Sequence, residues 1–257
     1  MLTWRVALLA DVHGNLPALE AALEDVDRRG VDAAYHLGDL VGYAPWPDEV
    51  VALLAGRGIP GVSGNYDSTT AVAADHCGCR AESPEQEALA HESYAWTLAR
   101  VSEATTAVLR ALPFRLDVRP EGGHRSGPTL HLFHGAPTLN TLYWDADRSD
   151  DFARKMAGKA GALEGDAMAF GHTHVPWTRT VDGIRYVNAG SVGRPKDGDP
   201  RAGYAIVTAG EEAFTAEHVR VEYDVERAAA GILESDLPDS FAEDLRTGGA
   251  PKGAGSS

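Results

Sequence analysis

Short apolar runs and amphipathic stretches alternate along the first sixty residues. The apolar runs predict strands at "WRVALLA" (4–10), "DAAYHL" (32–37) and "IPGVS" (59–63). Leucines on one helical face predict a helix over 16–29 that ends at Gly30, and Pro47 near the start of "PDEVVALLAGRG" predicts a second helix. This βαβαβ order predicts an α/β fold with a mainly parallel sheet.

The rest of the chain continues this alternation and then becomes rich in strands. A capping pattern at Ser83–Gln86 opens one predicted helix, "SEATTAVLRAL" forms another that stops before Pro113, and "SDDFARKMAGKA" and "VERAAAGILES" follow later. Strands are predicted at "FRLDV", "TLHLFHG", "AMAFGHTH", "WTRTV", "IRYVNAG", "GYAIV" and "FTAEHVRVEY", with an Asp-Gly hairpin turn at 182–183. We find no repeat and no linker, so we predict one domain over residues 1–245 and a disordered Gly/Ser/Pro-rich tail over 246–257.

Composition narrows the classes of protein. The net charge of −15 argues against a nucleic-acid surface or an anionic-membrane surface, since both need basic patches. A phosphate substrate stays open, because a bound metal can reverse the local field. There is no apolar run of 18 residues and no basic leader, so we predict no membrane span and a cytoplasmic location. The sequence carries no signal for a particular oligomeric state.

Polar side chains follow several of the predicted strands. They are Asp11, His13, Asp39, Asn65, His134, His172 and His174. In an open α/β sheet, ligands bind beyond the carboxyl ends of the strands, so these seven side chains could converge on one place. Two carboxylates, one amide and four imidazoles suit Mn, Fe, Zn, Ni or Co better than calcium. They suffice for two ions about 3.5–4 Å apart, which would clamp a phosphoryl centre.

The same residues carry a family resemblance. The ordered series D-x-H, G-D, G-N-x-D, H-G and G-H-x-H is similar to that of the calcineurin-like metallophosphoesterases. "ADVHGNLPALEAAL", "LGDLVGYAPWPDEV" and "NAGSVGRPKDGDPRAGYAIV" resemble the small bacterial and archaeal phosphodiesterase branch, and the likeness runs from about residue 4 to 235.

This resemblance implies a single-domain, four-layer α/β/β/α sandwich with two metal ions in one cleft. It implies that Asp11, His13 and His174 hold the first metal and that Asn65, His134 and His172 hold the second. Asp39 is implied to bridge them, and Asp39, Asn65 and His134 are implied to be catalytic. A hydroxide between the ions would be the nucleophile, because metals lower the pKa of bound water from 15.7 to roughly 7.

Tyr66 departs from the family pattern. Many relatives have a histidine there that acts as general acid, and the small phosphodiesterase branch is similar to this chain in lacking it. Losing a positioned acid typically costs about 10²–10⁴ in rate. We therefore predict a preference for activated diesters or phosphoanhydrides as small-molecule substrates. Tyr66 itself stays open as a substitute acid, and Asp67 as a further catalytic residue.

For other polar residues the sequence allows a structural role, a functional role, or either. His131, three residues before His134 on a strand, should point to the opposite face, and His124 is expected in a loop tip. Asn15 could orient the first loop or be an ordinary turn residue, and Ser191 could support the substrate phosphate. Arg194 could bind that phosphate or simply be a surface residue. His36 is expected either in the core or next to the metal ligands, whereas His91 and His218 are expected to be structural.

Cys77 and Cys79 flank a glycine in "DHCGCR". We expect two unpaired thiols in an intracellular chain, while a cap over the cleft or an extra metal site stays open.

The leading hypothesis is a dinuclear metal-dependent phosphodiesterase. One alternative is a non-catalytic metal-binding scaffold in a protein complex, as in the retromer coat. The other is a phosphomonoesterase resembling the protein phosphatases, which the absent histidine disfavours.

Overall fold

The structure, a computed structural model, describes residues 4–80, 83–119, 127–210 and 213–249. These ranges contain eight helices and nine strands. The helices are α1 (Leu16–Arg29), α2 (Pro47–Gly56), α3 (Asn65–Ala71), α4 (Pro84–Arg100), α5 (Glu103–Ala111), α6 (Asp150–Ala160), α7 (Val225–Leu233) and α8 (Ser240–Thr247). The strands are β1 (Trp4–Leu9), β2 (Ala33–His36), β3 (Arg115–Val118), β4 (Leu130–Phe133), β5 (Ala167–Phe170), β6 (Trp177–Val181), β7 (Ile184–Asn188), β8 (Ala202–Ala209) and β9 (Phe214–Val221).

The strands form two sheets, with orders β2-β1-β8-β9 and β3-β4-β5-β7-β6. The pairings β1–β2, β4–β5 and β5–β7 are parallel, whereas the other four are antiparallel. The prediction of a mainly parallel sheet was therefore wrong, and both sheets are mixed. Short connections such as those from β6 to β7 and from β8 to β9 can join only antiparallel neighbours.

Three apolar clusters show that the layers run α/β/β/α in one domain, as expected. Alternate β1 residues Val6 and Leu8 pack against β4, β5 and β8 residues between the two sheets. Ala7 and Leu9, on the other face of β1, pack against α1 and α2. On the second sheet, the outward faces of β4, β5 and β7 pack against α6. Strands covered on both faces are apolar at successive positions, which explains the continuous run in β1.

Local signals predicted most element boundaries. Asn15 caps α1 through its side-chain oxygen, which accepts from the Ala18 backbone 3.2 Å away, and Gly30 ends the helix at φ 58°. Ser83 caps α4 in the same way, as its capping pattern predicts. Asp182 and Gly183 both have positive φ in the turn between β6 and β7, as a two-residue hairpin requires.

The expected third strand at 59–63 was wrong. The segment forms only an isolated bridge between His36 and Gly61, because Pro60 has no backbone N–H to extend the ladder. Helix α3 follows at once, with Asn65 as its first residue, and the sequence analysis did not predict it.

The chain past residue 245 was also misjudged. Helix α8 continues to Thr247, and the carbonyl of Gly248 accepts from the backbone of Gly198 at 3.0 Å. The predicted tail therefore does not begin at 246, and its residues 250–257, like His124, lie outside the described residues.

Across the described ranges, no helix combines the length and the apolar character that crossing a membrane requires.

Candidate metal centre

All seven predicted ligand residues meet at one edge of the sandwich. Asp11 and His13 follow β1, Asp39 follows β2, and Asn65 opens α3. His134 follows β4, and His172 and His174 follow β5. Each of the seven is at most 4% exposed. The carboxyl ends of strands from both sheets thus bring the seven side chains into one buried pocket.

The backbone of this pocket is unusual. Asp11, His13, Asp39, His172 and His174 have φ between 49° and 68°, in the left-handed region that non-glycine residues rarely adopt. Such conformations cluster at functional sites, where the surrounding structure enforces them. Here they turn the chain sharply after each strand, so that successive side chains reach the same centre.

Two glycines let carboxylates approach the backbone. A Cβ on Gly64 would overlap the Asp39 carboxylate, and a Cβ on Gly171 would overlap the Asp11 carboxylate. These close approaches explain why glycine precedes the asparagine in "GNYD" and the histidine in "GHTH". Asp39 Oδ1 accepts from the Tyr66 backbone at 2.8 Å, and Asp11 Oδ2 accepts from the His172 backbone at 2.8 Å.

Three histidines are held in one tautomer by backbone carbonyls. The Nδ1 atoms of His13, His134 and His174 lie 3.0, 2.8 and 2.6 Å from the carbonyls of Val41, Leu37 and Arg194, respectively. Each Nδ1 must carry the proton to make this bond, which leaves the Nε2 lone pair pointing into the pocket. This arrangement is the usual one for metal-binding histidines.

The pocket atoms fall into two groups of potential ligands. In the first, Asp11, His13 and His174, the two histidine Nε2 atoms are 3.1 Å apart and Asp11 Oδ1 is 3.4 Å from His174 Nε2. In the second, Asp39, His134 and His172, His134 Nε2 lies 3.1 Å from His172 Nδ1 and 3.3 Å from Asp39 Oδ2.

Contacts between the groups bring them together as one centre. Asp39 Oδ2 is 3.7 Å from His13 Nε2, and Asp11 Oδ1 is 3.9 Å from His134 Nε2. Asn65 Oδ1 lies 3.1 Å from His134 Nε2. Each carboxylate therefore touches residues of both groups.

This donor set fits metal ions. The lone pairs of His13 Nε2 and His174 Nε2 face each other with no proton between them, an arrangement that repels unless a cation intervenes. Asp11 Oδ1 is buried without a hydrogen-bond partner. Burial raises the pKa of Asp11 to about 8 and lowers the pKa of His13 to about 4, so burial disfavours the charged forms of these two groups. A resident cation would supply the missing counter-charge.

A disulfide lies beside Asn65. Cys77 and Cys79 are joined, so the expectation of two unpaired thiols was wrong; Gly78, at φ 71°, lets the chain turn back between them. Asn65 Nδ2 donates to the Cys77 carbonyl at 3.0 Å and lies 3.6 Å from Cys79 Sγ. These contacts turn the amide so that its oxygen faces His134.

Tyr66 and Asp67 have their polar atoms bound elsewhere. The Tyr66 hydroxyl donates to Ser93 Oγ on α4 at 3.2 Å, and burial raises the pKa of Tyr66 well above its usual value. Asp67 accepts from the backbones of Leu40 and Gly64 at 2.8 and 3.0 Å, which ties the loop after β2 to the start of α3.

The remaining expectations concern residues around the pocket. Asn15 orients the first loop, since its Nδ2 donates to the Gly193 carbonyl at 2.8 Å. His131 points away from His134, as predicted, and contacts Asp117. His36 is buried outside the ligand groups, His218 contacts the Asn188 carbonyl at 2.8 Å, and His91 lies on an exposed face of α4.

An open cavity of about 500 Å³ leads to the ligand groups. Arg194 lines this cavity. So do five residues that the sequence did not mark as functional, namely Tyr43, Tyr143, Lys196, Phe241 and Asp244. The Tyr143 ring lies 4.1 Å from that of His172. Ser191 does not line the cavity but supports its wall: its hydroxyl donates to the Asp11 carbonyl at 2.7 Å and accepts from the Arg194 backbone at 2.8 Å.

Two mixed sheets between helices, with paired aspartate and histidine groups at the strand ends, define the class of the metallophosphoesterases. The chain belongs to this family: the profile described as Calcineurin-like phosphoesterase superfamily domain matches residues 4–212. Enzymes of this family are phosphoester hydrolases that depend on two metal ions, and the two groups described above are candidates for such a pair of sites.

Relatives of similar length include proteins from archaea and bacteria. The uncharacterised protein MJ0912 of Methanocaldococcus jannaschii is 28% identical, covering 96% of this chain and all of its own. The crystal structure of a metallophosphoesterase from Sphaerobacter thermophilus is 29% identical with a TM-score of 0.71, over 96% of this chain and all of that one. The hypothetical protein PH1004 of Pyrococcus horikoshii OT3 shares the fold, with a TM-score of 0.79 and 23% identity over 96% and 99% of the chains.

Proposed function

We propose that this protein is a dinuclear metal-dependent phosphoesterase that hydrolyses phosphodiester or phosphoanhydride bonds of small molecules. The observation that carries the proposal is the convergence of seven buried ligand residues in two adjoining groups. A surface that served only to bind proteins would not require imidazole lone pairs to face one another at 3.1 Å.

The ligand assignment follows the two groups. Asp11, His13 and His174 would hold one ion, and Asn65, His134 and His172 the other, with Asp39 shared. When bound, the ions would supply a water of lowered pKa as nucleophile and neutralise charge on the phosphoryl oxygens. Mn, Fe, Zn, Ni and Co all suit this mixture of nitrogen and oxygen ligands.

The protein's own residues orient this chemistry. The backbone carbonyls behind His13, His134 and His174 fix the ligand tautomers, and the Cys77 carbonyl fixes the Asn65 amide. Asp39 Oδ2 and Asn65 Oδ1 lie 3.3 and 3.1 Å from His134 Nε2, and we assign these three residues to the catalytic centre.

Neither Tyr66 nor Asp67 is positioned to donate a proton to the leaving group. The Tyr66 hydroxyl is bound to Ser93, and Asp67 accepts two backbone hydrogen bonds. Without a positioned acid, leaving groups that depart unprotonated, such as aryloxides and phosphates, should be favoured. We therefore propose activated diesters and phosphoanhydrides as substrates and alkyl monoesters as poor ones. A cytoplasmic location and the lack of a nucleic-acid partner stay predictions.

A leaving-group series tests this function. Protein loaded separately with Mn, Fe, Zn, Ni or Co would be assayed on aryl and alkyl phosphodiesters, an anhydride and monoesters. We expect rates to rise as the leaving-group pKa falls and to vanish after chelation. A protein that binds two ions yet is inert on every substrate would favour the scaffold alternative, and monoesters outpacing diesters would favour the phosphomonoesterase.

A further inference from the structure

Arg194 occupies a caged position in the cavity wall. Its guanidinium carbon lies 4.0 Å from the centre of the Tyr43 ring and 5.4 Å from that of Phe241. Its Nη2 donates to Asp244 Oδ2 at 2.7 Å, and the side chain is 13% exposed. Aromatic stacking and an ion pair together hold the guanidinium plane in one orientation.

The cage leaves donor capacity unused. Arg194 Nε is buried and has no hydrogen-bond partner. A guanidinium offers five N–H donors in a planar fork, which matches the oxygens of a phosphate group. The buried Nε is out of reach of the cavity, but Arg194 lines the same cavity as His13, His172 and His174, so a bound substrate could use the guanidinium N–H groups that face it.

The main chain of Arg194 is tied to the ligand shell. Its carbonyl is the one that accepts from His174 Nδ1 at 2.6 Å, and its N–H donates to Ser191 Oγ, which in turn bonds to the Asp11 carbonyl. The position of the guanidinium relative to the reaction centre is therefore fixed from both ends.

The Arg194 side chain is held by residues of α8. Phe241 and Asp244 belong to α8, which begins 28 residues after the family match ends at residue 212. Phe241 also packs edge-on against Tyr43 at 5.2 Å, and with Leu245 it joins α7 in a separate apolar cluster. A C-terminal helix outside the matched segment thus completes the wall of the cavity.

We propose that Arg194, positioned by Asp244 and Phe241 of α8, binds a second anionic group of the substrate next to the reacting phosphate. The reacting phosphate would face the metal ligands, and Lys196 lies on the same wall as a further cation. A simple diester carries one negative charge, whereas a phosphoanhydride carries at least two. The substrate class selected by this wall is therefore the phosphoanhydrides, an inference that rests on the proposed phosphoesterase function.

The test compares two substrates on the metal-loaded protein. One is thymidine 5′-(4-nitrophenyl) phosphate, a diester with one charge, and the other is adenosine diphosphate ribose, an anhydride with two. Arg194→Gln loses a charged hydrogen bond, so its KM for the anhydride should be about 10- to 100-fold above that of the wild type. This fold-increase should be at least tenfold larger than the fold-increase in KM for the diester. Arg194→Lys should restore part of the loss, since it keeps the charge without the planar fork.

Variants of α8 test the positioning role. Asp244→Asn should raise the KM for the anhydride with little change in kcat, whereas Glu243→Gln, which makes the same charge change on the neighbouring residue, should change neither. A purely structural role would impair both substrates alike, and equal KM changes for the two would overturn the inference.

The outcomes separate this inference from the proposed function. If the wild type hydrolyses the diester but not the anhydride, the inference fails and the function stands. If it hydrolyses neither, the function fails, and calorimetric binding of methylenediphosphonate to the metal-loaded protein decides the inference. Binding that is equally tight in the wild type and in Arg194→Gln would overturn it, and binding weakened at least tenfold would support it.

Discussion

Two clusters of aspartate and histidine lie at opposite ends of the second sheet. One is the candidate metal centre beyond the carboxyl ends of β4 and β5, and the other surrounds His131 near their amino ends. In the second cluster His131 Nδ1 lies 2.8 Å from Asp117 and its Nε2 lies 3.3 Å from Asp166. Asp166 also accepts from the backbones of Thr129 and Leu163 at 2.7 and 2.8 Å.

The same residue types therefore serve two purposes. Around His131 each imidazole nitrogen faces an acid, and Arg115 donates twice to Asp117, so the charges satisfy one another. At the candidate metal centre three of the four imidazoles donate to backbone carbonyls, and their Nε2 lone pairs point into the pocket. The same residue types occur in both places, so what distinguishes the candidate metal centre is where the protons are held and how deeply its side chains are buried.

The largest expected effect comes from replacing one aspartate in each cluster and comparing the two variants. Asp39→Asn removes a shared carboxylate, and we expect phosphodiester hydrolysis to fall about 10³-fold, the order seen when a main charge-stabilising group is lost. Bound metal, measured by elemental analysis after dialysis, should fall below two ions per chain.

Asp166→Asn is the matched variant in the other cluster. It should lower the free energy of unfolding by about 1–3 kcal/mol, since a buried acceptor for two backbone amides is impaired. Metal content and kcat/KM per folded molecule should stay at the wild-type values. Loss of metal from Asp166→Asn would break the distinction between the clusters.

Tyr66 offers an intermediate test, because it lies at the metal centre but its hydroxyl is satisfied like the groups around His131. We expect Tyr66→Phe to lose about 1 kcal/mol of stability from the bond to Ser93. The ratio of alkyl to aryl diester rates should not change. A large drop confined to alkyl substrates would show that tyrosine protonates the leaving group after all.

The smallest effect concerns Asp117. Burial opposes its ionisation, but hydrogen bonds from Arg115 and His131 outweigh burial and lower the pKa of Asp117. A lowered folded-state pKa stabilises the fold above the usual aspartate pKa of about 4, and this contribution is lost as the pH falls through the folded-state value. Because the side chain is 47% exposed, screening keeps the contribution below about 1 kcal/mol.

Urea unfolding of Asp117→Asn and the wild type measures this contribution. The two midpoints should differ slightly near neutral pH, and the difference should shrink below about pH 4, as the pH falls through the lowered folded-state pKa of Asp117. A difference that stays constant with pH would mean that the carboxylate charge plays no part.

The ligand positions were predictable because their signals are local. Six of the seven lie within a few residues after a strand, and Asn65 opens α3. Glycines such as Gly64 and Gly171 mark where the backbone must approach a carboxylate. Short motifs carry this information, so the order of the motifs indicated both the fold and the centre.

The cavity wall was not predictable, because its residues come from distant segments with no local mark. Phe241 and Asp244 reach Arg194 only through the packing of α7 and α8, and nothing near them in the sequence indicates a site. Helix α3 has only seven residues, with serine and threonines that are weak helix formers, so its pattern resembles a loop. The paired cysteines depend on the turn at Gly78, which the spacing alone does not reveal.

The left-handed backbone at five ligand positions has a consequence for how the centre arises. A flexible chain visits each such conformation rarely, at a cost of order 1 kcal/mol per residue, and would almost never visit all five together. An excised peptide carrying "ADVHGN" or "GHTH" should therefore capture metal far more weakly than the intact sandwich. Transplanting the motifs into another scaffold would succeed only if the strands on either side were transplanted with them.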